Sequence, residues 1–378
     1  MKTSSFSSSL ICKYFPICQG CSLWHIPYSE QKSLKIKSLT DRLSQNNLAH
    51  PPAELISLGE CGLRQRVDFT MQRNLEQRLQ MGFYNQEKKL LNIDECLQLS
   101  PALQKFYSDF QKIDFPIQKG SVRLRVSPSG KKGAWFDFSN LDIKRLLDDS
   151  HFFNQFFDQK IHVEVGQKGK SVLKTEVGFK LTEPTPHDWF ETYDQNLQPI
   201  SLQGLISDFT QPSWLTARAM IEIIFKWTQS LPSEANTIEF GPGLGQFTLP
   251  LLSRGSQVSV YESNATATAA LERNAKRHSL DHLLKVNFGD FQNKSFKVDS
   301  EIDLALVNPP RSGLKNFSYE LIRTGAKKCI YISCFPESMV VDLKILNQAG
   351  YEIKDIKIID QFPQTEHFET CVLLEKSI

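Results

Sequence analysis

The sequence predicts an α/β protein in which a doubly wound, mostly parallel sheet follows a region of antiparallel strands. Two observations carry that expectation. From about Ser213 onward, helix-like and strand-like runs alternate, which is the pattern of a parallel sheet with crossover helices. Between Leu63 and about Asp194, short runs alternate with period two and are separated by Gly, Asn and Ser, as expected of antiparallel strands with one wet face. At roughly 100–200 residues per domain, the 378 residues hold two or three domains.

In chain order, residues 11–26 form a Cys-rich knuckle, and a helix from Tyr28 to about Leu48 ends before Pro51-Pro52. The period-two runs are Arg66–Met71, Leu79–Tyr84, Val122–Val126 and Ile161–Val165, interrupted by helices near Pro101–Gln111 and Leu141–Phe157. The alternating half begins with a helix over Trp214–Ser230 and the strand Thr237–Phe240. Strands follow at Val258–Tyr261, Leu284–Phe288, Leu304–Val307, Cys329–Ile332, Ile353–Ile359 and Cys371–Leu374. Helices are expected over Ala265–His278, Tyr319–Ala326 and Pro336–Ala349.

Composition excludes several classes. With 40% hydrophobic and 23% charged residues, the chain is neither collagen-like nor disordered. No apolar run approaches the roughly 18 residues that a membrane span needs. The polar start, Met1 to Leu10, has no hydrophobic signal core, so a cytoplasmic location is expected. Eight cysteines in such a chain argue against a disulfide framework. The net charge of +2 does not announce a nucleic-acid partner, but the segment from Cys61 to Trp135 holds 13 Lys/Arg against 7 Asp/Glu. That excess fits either a solvated strand surface or a phosphate-facing patch.

Three motifs sit where a doubly wound sheet places ligands, just past strand ends. The first, Gly241-Pro242-Gly243-Leu244-Gly245, follows a strand, and glycines there let the backbone turn sharply and approach a ligand. About 20 residues on, the next strand ends in Glu262, an acid suited to a ribose diol, so an adenosine-type ligand is favoured. The second is Asn308-Pro309-Pro310-Arg311, a rigid exit from an apolar strand. The third is Cys334, past another apolar strand and ahead of a helix, whose N-terminus would lower the thiol pKa. Cys329 and Cys371 lie inside strand-like runs and read as structural. Cys12, Cys18 and Cys21, with distant Cys96, supply four thiolates for one metal centre, zinc or an iron–sulfur cluster.

Together these segments resemble the bacterial S-adenosylmethionine-dependent RNA (uracil-5-)-methyltransferases. The matching stretches are the four cysteines, Arg66–Phe69 with Met81–Tyr84, Asp208–Pro212, the glycine turn, Asn308–Arg311, Ser333-Cys334 and Phe362–Glu369. The resemblance implies a Rossmann-like methyltransferase domain over 201–378. Before it would come a mixed α+β, RNA-facing region over 61–200 and an N-terminal iron–sulfur knuckle formed by 1–60 and 90–100. It implies a [4Fe–4S] cluster on Cys12, Cys18, Cys21 and Cys96. It also implies S-adenosylmethionine contacts from Gln211, Gly241, Gly243, Gly245, Glu262 and Asn308. Only 11 residues precede Cys12, which leaves no room for the N-terminal TRAM domain of one ribosomal branch. The expected branch is therefore the short 23S ribosomal RNA type, the RlmC type. Three departures stand out: Gly241 occupies the place of an aromatic residue, Asn308 stands where Asp is common, and Phe335 follows the cysteine in place of Asn.

By the same resemblance, Cys334 is the nucleophile toward uracil carbon 6 and Glu369 the base that removes the carbon 5 proton. The partner is RNA, with 23S ribosomal RNA expected; neither a membrane nor an obligate protein partner is evident. Two alternatives remain: an RNA methyltransferase acting on an exocyclic amine, and a non-catalytic iron–sulfur RNA-binding protein.

Overall fold

The computed structural model describes residues 11–138, 142–288 and 301–377; the polar start and the Leu141 end of one expected helix lie outside them. Helix α1 (Tyr28–Gln45) and strand β1 (Glu54–Ile56) come first. The buried residues of α1, Gln31, Lys35, Leu39 and Leu43, recur every four positions and so form one stripe. Two of those four are polar, and both find partners in a distant loop, described below.

The next body contains β2 (Arg66–Arg73), β3 (Leu79–Tyr84), β4 (Leu90–Asn92), α2 (Pro101–Phe110), β5 (Lys119–Val126), β6 (Lys132–Asp137), α3 (Ile143–Asp148), α4 (Ser150–Asp158), β7 (Ile161–Val165), β8 (Lys170–Thr175) and β9 (Gly178–Thr182). These strands form one eight-stranded sheet ordered β4-β3-β2-β5-β6-β7-β8-β9. Neighbours run antiparallel except β6 and β7, which are parallel because α3 and α4 carry the chain back along the sheet. The single helix expected up to Phe157 is two helices. Asp149 ends the first, and its side chain caps the second by accepting from the Phe152 N–H at 3.2 Å. Alternation decides the faces: Val67, Phe69 and Met71 are buried, while Asp68 and Gln72 point outward. Against the buried face, α2 and α4 pack Phe106, Phe110, Phe152 and Phe156.

A two-stranded hairpin follows, β10 (His187–Tyr193) with β11 (Pro199–Gly204). The last body contains α5 (Trp214–Thr228), β12 (Asn236–Phe240), α6 (Thr248–Ser253), β13 (Gln257–Glu262), α7 (Ala265–Arg277), β14 (Leu284–Phe288), β15 (Leu304–Val307), α8 (Phe317–Arg323), β16 (Lys328–Ser333), α9 (Pro336–Gln348), β17 (Tyr351–Ile359) and β18 (Glu369–Lys376). Its sheet is ordered β1-β17-β18-β16-β15-β12-β13-β14, with only β18 antiparallel to its neighbours. This is the doubly wound pattern expected, with β1 added.

That addition moves the boundaries. β1 pairs in parallel with β17, and α1 packs on α9, so residues 28–56 belong to this sheet and not to a Cys-rich element reaching residue 60. The physical reason is that β17 would otherwise present an open edge. Similarly, Trp189, Phe190 and Tyr193 of the hairpin lie in the core under the second sheet, ahead of the expected start at 201. The linker between the bodies is clasped by the first sheet. Glu164 accepts from the Ile206 and Ser207 N–H groups, Arg123 donates to the Ser207 carbonyl, and Gln65 brackets Pro212 and Trp214.

The polar residues of α1 hold the loop after β17. Lys35 Nζ lies 2.6 Å from Asp360 Oδ1, with both side chains at 2% exposure or less, and it also donates to the Phe362 carbonyl at 3.0 Å. Tyr28 donates to the other Asp360 oxygen at 2.8 Å. Removing one partner of such a pair strands a buried charge. Lys35→Met is expected to lose about 3–5 kcal/mol of unfolding free energy in urea titration, and Lys35→Met/Asp360→Asn to recover part of it. A loss below about 1 kcal/mol would show that water reaches the pair.

Candidate active site

Parallel strands deliver their carboxyl ends to one edge of the sheet, and β12, β13, β15 and β16 are mutually in register. The glycine turn, Glu262, Asn308 and Cys334 therefore lie in a row along that edge. Chain direction reverses in β18, so its amino end reaches the same edge. Ser333 pairs with Thr370, which sets Cys334 and Glu369 next to each other as each strand leaves the sheet.

The glycine turn needs its glycines. Gly241, Gly243 and Gly245 have φ values of 72°, 57° and 97°, and a Cβ on Gly245 would meet Leu249 and Leu271 side-chain carbons at 2.6 Å. A Cβ on Gly241 would lie 3.8 Å from the Asn308 carbonyl oxygen, which places those two motifs side by side. Glu262 closes β13 and accepts from the Asn264 N–H at 2.8 Å. Behind the turn, Glu239 is buried, accepts from Thr248 Oγ1 at 2.7 Å, and is pushed up to about 8 by burial.

Cys334 is half-buried on a tight turn that Ser333 shapes: the Ser333 hydroxyl accepts from the Phe335 N–H at 3.0 Å, and α9 begins at Pro336. The expectation of a lowered thiol pKa is corrected here. Burial and the nearby Glu369 carboxylate push the thiol up, outweighing Arg311, which bonds to it and pulls the other way. Glu369 itself is 4% exposed and raised to about 8 by burial, with Arg311 again opposing. Cys329 and Cys371 are fully buried in β16 and β18, as their strand positions predict.

Gln211 reaches this group through Gln361. The Gln361 Nε2 donates to Gln211 Oε1 at 2.8 Å and to Glu369 Oε1 at 3.1 Å, while Thr216 Oγ1 donates to Gln361 Oε1 at 2.5 Å. The Gln211 N–H donates to Gln246 Oε1 at 3.2 Å. Cys334, Glu369 and Gln211, the expected nucleophile, base and cofactor contact, thus belong to one hydrogen-bonded and electrostatic unit.

The four expected metal ligands also come together. Cys12, Cys18, Cys21 and Cys96 line one cavity of about 130 Å³ with Tyr14, Trp24 and Arg64. Among the described residues no three His, Cys, Asp or Glu side chains form a group that would hold a metal ion. Burial raises the Cys21 thiol to about 12 and pushes Cys18 and Cys96 up.

The basic stretch is less of a phosphate patch than its charge count implies. Arg73 donates to the Phe115, Ile117 and Gln77 carbonyls. Arg125, 4% exposed, donates to the Asp208 carbonyl and Thr210, over the Phe190 ring. Arg123 bonds Asp68 and the linker. Three of the 13 cations are therefore structural.

Comparison with known proteins decides the family. A family model described as tRNA (uracil-5-)-methyltransferase matches residues 196–377. An uncharacterized RNA methyltransferase of Bdellovibrio bacteriovorus is 37% identical over 376 residues, covering 97% of this chain and 95% of that protein. The chain belongs to the RNA (uracil-5-)-methyltransferase family. The 23S rRNA (uracil(1939)-C(5))-methyltransferase RlmD of Pasteurella multocida is 26% identical over 97% of this chain and 82% of its own length. In fold, the chain is similar to the Pyrococcus abyssi tRNA (uracil-54, C5)-methyltransferase, solved with S-adenosyl-L-homocysteine. That match has a TM-score of 0.71 and 21% identity, covering 95% of this chain and 86% of the other. Membership makes the protein an RNA (uracil-5-)-methyltransferase and sets aside the non-catalytic alternative.

Sequence reasoning about this methyltransferase missed Gln361, Gln246 and the closeness of Arg311 to Cys334. Arg311 carried a signal, its place directly after a strand-end Pro-Pro pair. Gln361 carried none, since its partners come from three separate segments. The coupling between thiol and carboxylate is testable. Glu369→Gln removes a like charge once the carboxyl has ionised, so at pH 9, above its value of about 8, alkylation of Cys334 by iodoacetamide should speed up several-fold, read by peptide mass spectrometry. An unchanged rate would show that the two groups do not feel each other.

Proposed function

We propose that this enzyme methylates carbon 5 of a specific uridine in 23S ribosomal RNA, taking the methyl group from S-adenosylmethionine and using Cys334 as a covalent nucleophile. The observation that carries the reading is the β16–β18 register, which sets a thiol and a buried carboxyl together at the ligand edge of the sheet. The glycine turn, Glu262, Asn308 and Gln211 would hold S-adenosylmethionine, and the glycines at positive φ would let the backbone approach it closely. The ribosomal substrate follows the name of the RlmD relatives, and the proposal stops at the 23S branch.

When bound, S-adenosylmethionine supplies an electrophilic methyl group; the remaining work falls to this chain. Carbon 5 of uracil is a weak nucleophile. The Cys334 thiolate adds to carbon 6, and the pair of electrons from the ring double bond moves onto the enolate, making carbon 5 nucleophilic. Once carbon 5 has taken the methyl group, Glu369 removes its proton. The electrons left behind re-form the double bond and expel Cys334 as thiolate. The target base must leave its stack for this to happen. Phe209, 69% exposed beside the Arg66 guanidinium and two residues from Gln211, offers a face on which an unstacked base can lie.

For the four cysteines we propose a [4Fe–4S] cluster. Support comes from the donor set and from one cavity lined by all four cysteines. When bound, a cluster would staple residues 12–21 to the segment bearing Cys96; methyl transfer to carbon 5 requires no electron from it.

The reading is tested with RNA carrying 5-fluorouridine and S-adenosylmethionine. Fluorine cannot leave as a proton, so a denaturation-resistant protein–RNA adduct should accumulate; an adduct that persists in Cys334→Ala removes that residue from the nucleophile role. On ordinary RNA, Glu369→Gln should turn over slowly and build up the covalent complex. The carboxylate is the working form and its pKa is raised to about 8, so product release from the adduct should speed up as pH rises through about 8. Below that point the rate should fall about ten-fold per pH unit. A flat rapid-quench profile across that range would reject Glu369 as the base.

A further inference from the structure

We infer that Gln361 is a positioning residue for the reaction, tying the cofactor-side Gln211 and the Glu369 carboxyl into one frame through the two N–H bonds of a single amide; this rests on the roles proposed above for Gln211 and Glu369. The side chain is 1% exposed, and every polar atom it carries is engaged. Its amide has two N–H donors, and the structure uses one on Gln211 Oε1 and the other on Glu369 Oε1. The opposite amide orientation would set its oxygen against both acceptor oxygens and its nitrogen against the Thr216 hydroxyl that now donates to it.

Two consequences follow for the chemistry. First, Glu369 Oε1 accepts the Gln361 N–H whether the carboxyl is charged or neutral, so the proton taken from carbon 5 goes to Oε2. Second, the Gln211 side chain is oriented by a group that also touches the base, so the methyl donor and the base share one reference point. Gln361 is itself held in place: its neighbour Asp360 is locked by Lys35 and Tyr28, and the Phe362 carbonyl by Lys35. The other titratable or charged groups facing Glu369 are Arg311, Cys334 and Cys371. Of these three, Arg311 alone carries N–H donors, and it acts on Glu369 through its charge.

The test uses the full-length protein and Gln361→Leu, which keeps volume and removes both donors. Affinity for S-adenosylmethionine, measured by calorimetry, should fall roughly ten-fold. The pH midpoint for resolving the covalent RNA adduct should rise by about one unit, because the carboxylate loses a hydrogen bond that favours it. A purely structural role would lower the unfolding midpoint and leave both readings of the folded fraction unchanged. Gln361→Glu keeps the acceptor for Thr216 and places an acid beside Glu369. It should move the pH midpoint in the same direction, and it serves as the readout if the leucine variant does not fold. Wild-type affinity and wild-type midpoint in the folded variants would overturn the inference and leave the proposed function standing. A wild-type protein that neither binds S-adenosylmethionine nor forms the fluorouridine adduct would instead overturn the function.

Discussion

The buried ion pair of Lys35 with Asp360 is the constraint on which the site's geometry rests. A lysine and an aspartate out of water cost several kcal/mol to desolvate, and their attraction offsets that only with good geometry and further hydrogen bonds. Those bonds are present: Tyr28 satisfies the second carboxylate oxygen and the Phe362 carbonyl takes another ammonium proton. The pair therefore fixes three consecutive residues, 360–362, against a helix more than 300 positions away in sequence. Two residues on, the loop continues the same attachment. Gln31 donates to Gln364 and accepts from its N–H, and the Gln364 carbonyl takes the N–H groups of Ser22 and Leu23. One short loop thus joins the Cys-rich knuckle, the first helix and the catalytic sheet.

That junction explains why the amino-terminal segment belongs to the catalytic body. β1 covers the β17 edge, α1 covers α9, and the knuckle grips the loop that leads to Glu369. Arg64 extends the connection, lining the four-cysteine cavity while its guanidinium stacks over the Phe362 ring. Arg64 thus links the cysteine cavity to the loop that leads to Glu369.

Much of this was legible in the sequence, for physical reasons. Strands of the second sheet are buried on both faces, so Leu304–Val307 and Cys329–Ile332 read as unbroken apolar runs. The glycines at 241, 243 and 245 announced a turn that only they can make. β1 was not legible, because three residues with one exposed position carry no periodic signal. A helix N-terminus is a local feature, whereas what raises Cys334 is tertiary: burial first, then Glu369, which arrives from a strand 35 positions later, paired antiparallel. The basic count from 61 to 135 misled for a similar reason. Composition cannot tell an arginine that faces phosphate from Arg125, which is enclosed between the two bodies.

The electrostatics of the site then follow from its shape. Cys334 and Glu369 are both raised by burial, Cys334 further by the Glu369 carboxylate, and Arg311 opposes both shifts. At rest, near neutral pH, the arrangement keeps the thiol protonated and the carboxyl largely so, leaving Arg311 as the charged member of the group. A cation entering beside them favours both ionised forms at once. On the proposed mechanism a positively charged methyl donor would favour the reactive thiolate as it binds. The burial that would strengthen Glu369 as the proposed base also holds the Cys334 thiol in its protonated form. Gln361 makes the two requirements compatible, because it holds the carboxyl in place without adding charge.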